Sequence, residues 1–337
     1  TPVHDDVDLV GVGPWFGGVP AAPWVPPMPV RRLPVPYQLA YEAWYRSSLL
    51  APTWVVPDAD VVHATTVTVP PKGRARGLVV TVHDLFPLTS PEQFTPRGVR
   101  IMTGGIRAAI DRADLVCCPS QDTMDDCLRA GFAAERLRLV PWGATPHPVT
   151  DADHRRVRER YRLDRPFVLW VGTIEPRKNL PTLLEAFRRI QPTDVDLVLV
   201  GPVGWHEQLE GHIEGIGSKV RQLGFVPAED LPALYAEARL FCFPSTREGF
   251  GLPALEAMAQ GTPVIAGAGT AVAEVVGDGG VTIAPLDVEA WAEVLVELLD
   301  DEPRRSALGA AALVRAGEFT WERCAEQMAA AYHEVGG

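Results

Sequence analysis

Residues 167–201 read FVLWVGTIEPRKNLPTLLEAFRRIQPTDVDLVLVG. The stretch opens on five consecutive apolar residues ended by Gly172, the pattern of a strand buried on both faces. After a polar loop, apolar residues fall at 180, 183, 184, 187 and 190, a single stripe along a helix. VDLVLVG (195–201) is then a second buried strand. Strand, helix and strand at this spacing make a crossover unit, which requires a parallel sheet.

The same alternation continues in both directions. Toward the C-terminus, VRQLGFV (220–226), RLFCFP (239–244), PVIAG (263–267) and GVTIAP (280–285) read as strands, with helical stretches such as 229–238 and 287–299 between them. Toward the N-terminus, VDLVGV (7–12), DVVHAT (60–65), LVVTVH (78–83), DLVCCP (114–119) and LRLVP (137–141) form a separate series. Helices are expected over 97–113, with apolar positions Val99, Ile101, Met102, Ile106, Ala109 and Ile110, and over 121–131, ending at Gly131. The polar, Arg-rich WGATPHPVTDADHRRVRERYRLDR (142–165) reads as the connection between the two series. The expected fold is α/β, with two doubly wound Rossmann-like domains in tandem facing a cleft at the carboxyl ends of their strands.

The totals agree. A chain of 337 residues is too long for one core and suits two domains of roughly 150 residues. Its net charge of −12 is uneven: residues 1–150 carry 13 Lys/Arg against 14 Asp/Glu, and the remainder 18 against 29. An acidic chain without a basic tract is a poor nucleic-acid binder. The five cysteines lack zinc-like spacing and read as reduced core thiols of a cytoplasmic protein. No signal or transit segment is recognised at the start. The uncharged run 9–30 holds six prolines and four glycines, so it is no spanning helix. It reads either as a strand with a packed loop, or as a loop offering Trp15, Phe16 and Trp24 to a greasy partner.

Two stretches carry candidate chemistry. In VGTIEPRKNL (171–180), Arg177 and Lys178 stand between a strand's carboxyl end and a helix start, where cations and free N–H groups converge on an anion. Lysine is scarce, three residues against 28 arginines, which singles out Lys178. In PSTREGFGLPALEAMAQGTPVI (244–265), Glu248 and Glu256 flank a Gly249-Phe250-Gly251 turn whose backbone could approach a ligand closely. Pro253 and Gly261 bound a helix over 253–260. The alternative for each is ordinary: solvated bases, a loop acid and a glutamate complementing a helix dipole.

The blocks EGFGLPALE, GTIEPRKNL, LGFVPAEDLPALYAEARLFCFPS and GTPVIA resemble the retaining glycosyltransferases of family 4, which have the GT-B fold. The resemblance is strong over about 163–335, and weaker in VTVHDLFPL (80–88), CCPSQDT (117–123) and VPWG (140–143). It implies an acceptor-side domain over 1–155, a nucleotide-sugar domain over 156–318 and a C-terminal helix over 319–337 that packs back on the first. It also implies roles. Arg177 and Lys178 would clamp the donor diphosphate, Glu256 would accept from the ribose hydroxyls, and Glu248 would face the sugar. Thr173, Val226, Gly249, Phe250, Gly251 and Leu252 would complete the donor site. His83 would sit near the reacting sugar, with Asp84 and Ser120 on the acceptor side. Residues 1–57 match the family poorly, and there Trp15 and Phe16 of the Pro/Trp-rich loop are acceptor-side candidates outside the family pattern.

The implied reaction moves a hexose from a nucleotide-diphosphate sugar, of GDP-mannose or UDP-sugar type, to a glycan, a lipid-linked saccharide or a small-molecule hydroxyl. No Asp-x-Asp stands at a strand end, so cationic side chains and a helix N-terminus would replace a metal, and no cofactor is expected. The expected mechanism is same-face attack with retention, the leaving phosphate oxygen helping to deprotonate the acceptor. Peripheral contact with the inner face of a membrane stays open. Two departures stand out: Gly172-Thr173 replaces a common Gly-Arg, and no initial strand with a Gly-rich turn is recognised. The remaining alternatives are an inactive nucleotide-binding scaffold, an epimerase on the same fold, and a phosphorylase, for which neither Lys72 nor Lys219 is well placed.

Overall fold

In a computed structural model that describes residues 6–14, 25–46, 49–191, 194–204 and 210–337, the chain falls into two units. One comprises the residues up to Pro141 together with Trp321–Gly337, and the other comprises Trp142–Thr320. Trp15, Phe16 and Trp24 lie outside the described residues.

In the first unit β1 (Gly11–Pro14) pairs in parallel with β2 (Val30–Leu33). A second parallel sheet takes β3 (Val61–Ala64), β4 (Gly77–Thr81), β5 (Leu115–Cys118) and β6 (Leu137–Leu139) in that order. Its helices are α1 (Tyr37–Arg46), α2 (Phe86–Thr89), α3 (Pro96–Arg112) and α4 (Gln121–Ala130). Thr95 and Ser120 cap α3 and α4 by accepting from Gly98 N and Thr123 N, and Gly131 ends α4 in the left-handed region at φ 98. The C-terminal helix, Trp321–Gly336, returns to this unit and packs on β3, β4 and β5, burying Ala331 with Val79, Leu115, Cys117 and Val140. His63 joins it to the sheet, its Nδ1 2.8 Å from Tyr332 Oη and its Nε2 2.8 Å from Thr81 Oγ1. Burial lowers the His63 pKa to about 4, so the bridge is neutral at physiological pH.

In the second unit the strands β7 (Phe167–Val171), β8 (Asp196–Val200), β9 (Val220–Gly224), β10 (Leu240–Phe243), β11 (Val264–Gly267) and β12 (Gly280–Ile283) form one parallel sheet in the order β12-β11-β10-β7-β8-β9. The chain runs outward from β7 through β8 to β9, then returns to the other side of β7 for β10, β11 and β12. This is the doubly wound order, with its reversal between β7 and β10. The helices are α5 (Asp151–Tyr161), α6 (Leu180–Ile190), α7 (Glu210–Ile213), α8 (Leu231–Glu237), α9 (Leu252–Ala259), α10 (Ala271–Val276), α11 (Val288–Asp300) and α12 (Glu302–Ala316). Leu180, Leu183, Leu184 and Phe187 are buried, as the stripe in α6 predicts.

The division differs from the expected one at residue 155. Helix α5 belongs wholly to the second unit because Asp230, fully buried, accepts from Arg156 Nε (2.9 Å), Arg160 Nη1 (3.0 Å) and Tyr161 Oη (2.7 Å). Val157 completes the attachment inside the second core. All five cysteines are free thiols, and four of them are buried. No described helix is long and apolar enough to cross a membrane.

Candidate active site

The loops leaving β7 and β10 flank the reversal in the second sheet, the position where such sheets bind ligands. Their geometry starts from backbone. Gly201, at φ 134, lets Gly172 O approach so closely that a Cβ there would lie 1.8 Å from it, so no side chain fits between the ends of β7 and β8. Asn179 adopts the left-handed conformation at φ 51, which a short amide tolerates. Its Nδ2 donates to Pro244 O (3.0 Å) and Pro285 O (2.7 Å), tying the loops after β7, β10 and β12 together. Thr246 N donates to Arg177 O at 2.8 Å, a second tie between the first two.

These ties bring Arg177, Lys178 and Glu248 into one cluster. Lys178 Nζ lies 2.6 Å from Glu248 Oε1, and Arg177 Nη1 lies 3.0 Å from Glu248 Oε2. Arg177 Nη2 also pairs with Glu175 Oε1 at 2.6 Å. The Lys178 ammonium stands 4.6 Å from the centroid of Phe243. Lys178, Glu175 and Glu248 are buried, whereas the Arg177 side chain keeps 22% of its surface. Burial pulls the Lys178 pKa down against the pull of Glu248. Burial also opposes ionisation of Glu248, but Lys178 and Arg177 outweigh it and hold that carboxyl below its ordinary value. Two cations and two carboxylates balance, and Arg177 is the member open to solvent.

Glu256 lies apart from this cluster, in the second turn of α9. Gly251 caps that helix at φ 102, and a Cβ there would meet Val272 Cγ2 at 2.5 Å, so the turn requires glycine. Tyr235 Oη donates to Glu256 Oε2 at 2.9 Å. Burial raises the Glu256 pKa, while Tyr235 and His147 act to lower it. The Gln260 side-chain amide donates to His147 O at 3.1 Å and accepts from His147 N at 3.0 Å, and so holds that segment against the end of α9. Phe250 points inward, 2% exposed, with ring centroids 5.3 Å from Trp142 and 6.0 Å from Phe319. Only its backbone is offered to a ligand. Val226 is likewise buried, and Thr173, Gly249 and Leu252 are half-buried.

In the first unit, His83 Nε2 lies 2.7 Å from Thr65 O, which places the proton on Nε2 because a carbonyl only accepts. Asp84 Oδ1 accepts from Phe86 N at 3.1 Å. Ser120, 3% exposed, donates to Thr123 Oγ1 at 3.1 Å, and Thr123 Oγ1 donates to His83 O at 3.4 Å. Asp84 and Ser120, both expected on the acceptor side, thus also make local bonds, Asp84 to the start of α2 and Ser120 as the cap of α4. Sequence reading missed Glu175, Asn179, Tyr235 and His147. Only Asn179, an Asn at the junction of a loop and a helix, carried a local signal.

The second unit is thus a doubly wound α/β domain with a compact ionic cluster at its reversal point. The chain belongs to the glycosyltransferases of group 1 and family 4. Residues 151–315 match the family described as "Glycosyl transferases group 1", and 4–147 match "Glycosyltransferase Family 4". The O-antigen chain mannosyltransferase B of Escherichia coli is 35% identical over 77% of this chain and 71% of its own length. The D-inositol 3-phosphate glycosyltransferase of Corynebacterium diphtheriae is 32% identical over 67% of this chain, which spans 57% of that protein. Anabaena Alr3699/HepE, solved with UDP and glucose, aligns over 91% of this chain and 87% of its own with a TM-score of 0.74 and 23% identity. WaaG, a glycosyltransferase involved in lipopolysaccharide biosynthesis, aligns over 92% and 87% with a TM-score of 0.72 and 22% identity. These structural likenesses establish the GT-B fold of the chain.

Proposed function

We propose that this glycosyltransferase moves a hexose from a nucleotide-diphosphate sugar to a hydroxyl acceptor, with retention of anomeric configuration and without a metal. The observation that carries the reading is the Arg177–Lys178–Glu248 cluster at the sheet reversal. As the glycosidic bond breaks, negative charge builds on the leaving diphosphate, and fixed cations aimed at that charge lower the barrier. Arg177 is exposed enough to take a phosphate oxygen, and Lys178 is pre-oriented by Glu248 and Phe243. In this reading Glu248 first positions the lysine and meets the sugar through the oxygen that Arg177 gives up.

Retention follows from same-face attack, in which the departing phosphate oxygen receives the acceptor proton. Donation by GDP-mannose is favoured by the 35% likeness to a mannosyltransferase, with UDP-sugars as the second choice. The acceptor is a glycan, a lipid-linked saccharide or a small-molecule alcohol. Glu256 receives the ribose hydroxyls, and His83 is the residue of the first unit on which turnover depends.

Transfer from GDP-mannose and UDP-glucose, assayed in the presence of EDTA, tests the whole reading. Turnover persists under chelation and the product keeps the donor's anomeric configuration. Lys178→Ala lowers turnover on the order of 10²-fold, and His83→Ala lowers turnover without weakening nucleotide binding. An inverted product, or activity restored only by magnesium, overturns the mechanism.

A further inference from the structure

Tyr235 is a tyrosine in a place that packing alone would give to phenylalanine. It is 2% exposed on α8, with its ring edge-to-face against Phe241 at 5.6 Å. Its carbonyl is fixed by Thr262 Oγ1 at 2.7 Å. Burying a hydroxyl costs free energy unless it finds a partner, and the partner it finds is Glu256. The bond runs from Tyr235 Oη to Glu256 Oε2, across the packed pair α8 and α9.

We infer that Tyr235 is the positioning residue for nucleotide ribose recognition: its hydroxyl fixes the Glu256 carboxylate so that Oε1 is presented to the two vicinal ribose hydroxyls. This rests on the assignment of Glu256 to the ribose. A glutamate carries three rotatable side-chain bonds, and an unfixed one must be ordered by the ligand at a cost in affinity. Tyr235 orders it beforehand from a rigid, buried ring. Burial raises the Tyr235 hydroxyl's pKa well above its ordinary value, and Glu256 raises it further, so the hydroxyl stays a donor. From the other side, the segment holding His147 is clipped to α9 by Gln260, which keeps His147 near enough to act on Glu256. Tyr235 and His147 both favour the ionised carboxylate that a diol needs.

The test compares Tyr235→Phe with the unaltered protein and with Glu256→Gln, by calorimetry with GDP and UDP and with their dideoxy forms, which lack both ribose hydroxyls. The unaltered protein prefers the ribose forms. Tyr235→Phe reduces that preference about tenfold while binding of the dideoxy forms is unchanged. It also moves the acid limb of ribose-dependent binding to higher pH, because a donor that held the Glu256 pKa down is gone. A general packing defect would weaken both ligand classes together and leave the acid limb in place, and that result overturns the inference. If Glu256→Gln erases the preference and Tyr235→Phe does not, the inference about Tyr235 alone fails. If Glu256→Gln leaves the preference intact, the ribose assignment fails and the inference goes with it.

Discussion

Glu248 is 8% exposed, with one carboxylate oxygen on Lys178 and the other on Arg177. A loop acid beside a Gly-Phe-Gly turn suggests a solvated group, and nothing in the local sequence reveals that its partners lie about 70 positions earlier. A carboxylate held below its ordinary pKa contributes stability above the usual carboxylate range and loses it as pH falls through the folded value. Removing it also strands Lys178, already disfavoured by burial. Glu248→Ala therefore destabilises the second unit by about 3 kcal/mol in urea unfolding. Pairing Glu248→Leu with Lys178→Met restores most of that loss, because an apolar pair of similar volume avoids the desolvation cost, but it does not restore nucleotide binding. A Glu248→Ala protein as stable as the parent would show that water reaches the cluster.

At the scale of elements, two glycines separate local strain from packing. Gly131 ends α4 at φ 98 with nothing within 4 Å of where a Cβ would stand, whereas Gly251 starts α9 at φ 102 with Val272 Cγ2 2.5 Å from that position. Gly131→Ala carries only the backbone term, about 1 kcal/mol. Gly251→Ala adds displacement of Val272 and destabilises by about 3 kcal/mol in the same measurement. Equal losses would mean that α10, which carries Val272, gives way freely. Elements with strong periodicity, such as β7, α6 and β8, were legible in sequence because each buries a continuous face. Strand β2, four residues with two arginines between prolines, carried no such signal and exists through its pairing with β1. Helix α5 was visible as a helical run, but its allegiance was not. That depends on Asp230, some 70 residues on. The cationic half of the candidate site was legible because Lys178 is rare and sits at a strand end. Tyr235 was not, because its role depends on a contact across two helices.

At the scale of the molecule, the second unit is an insertion: the chain leaves the first unit after Pro141 and re-enters it at Trp321. Its six-stranded sheet is complete between those points, with a continuous core that runs from Val157 to Ala316. The first unit is not complete without the C-terminal helix. Val79, Leu115, Cys117 and Val140 pack against that helix, and Arg138 Nε holds Glu334 Oε2 at 3.1 Å. Gly77 leaves no room for a methyl because Val335 Cγ2 lies 2.3 Å from where it would be. The fragment Trp142–Thr320 is therefore expected to fold cooperatively by itself and to bind nucleoside diphosphates with the affinity of the full chain. Deleting Trp321–Gly337 exposes the apolar face of β4 and β5, so the first unit unfolds or aggregates at lower temperature, while the unfolding transition of the second unit and its stabilisation by GDP or UDP stay in place. Calorimetric melting of the full chain, the fragment and the deletion, each with and without nucleotide, resolves the two transitions. A fragment that fails to fold, or a deletion that abolishes nucleotide stabilisation, would assign the C-terminal helix to the donor-binding unit instead.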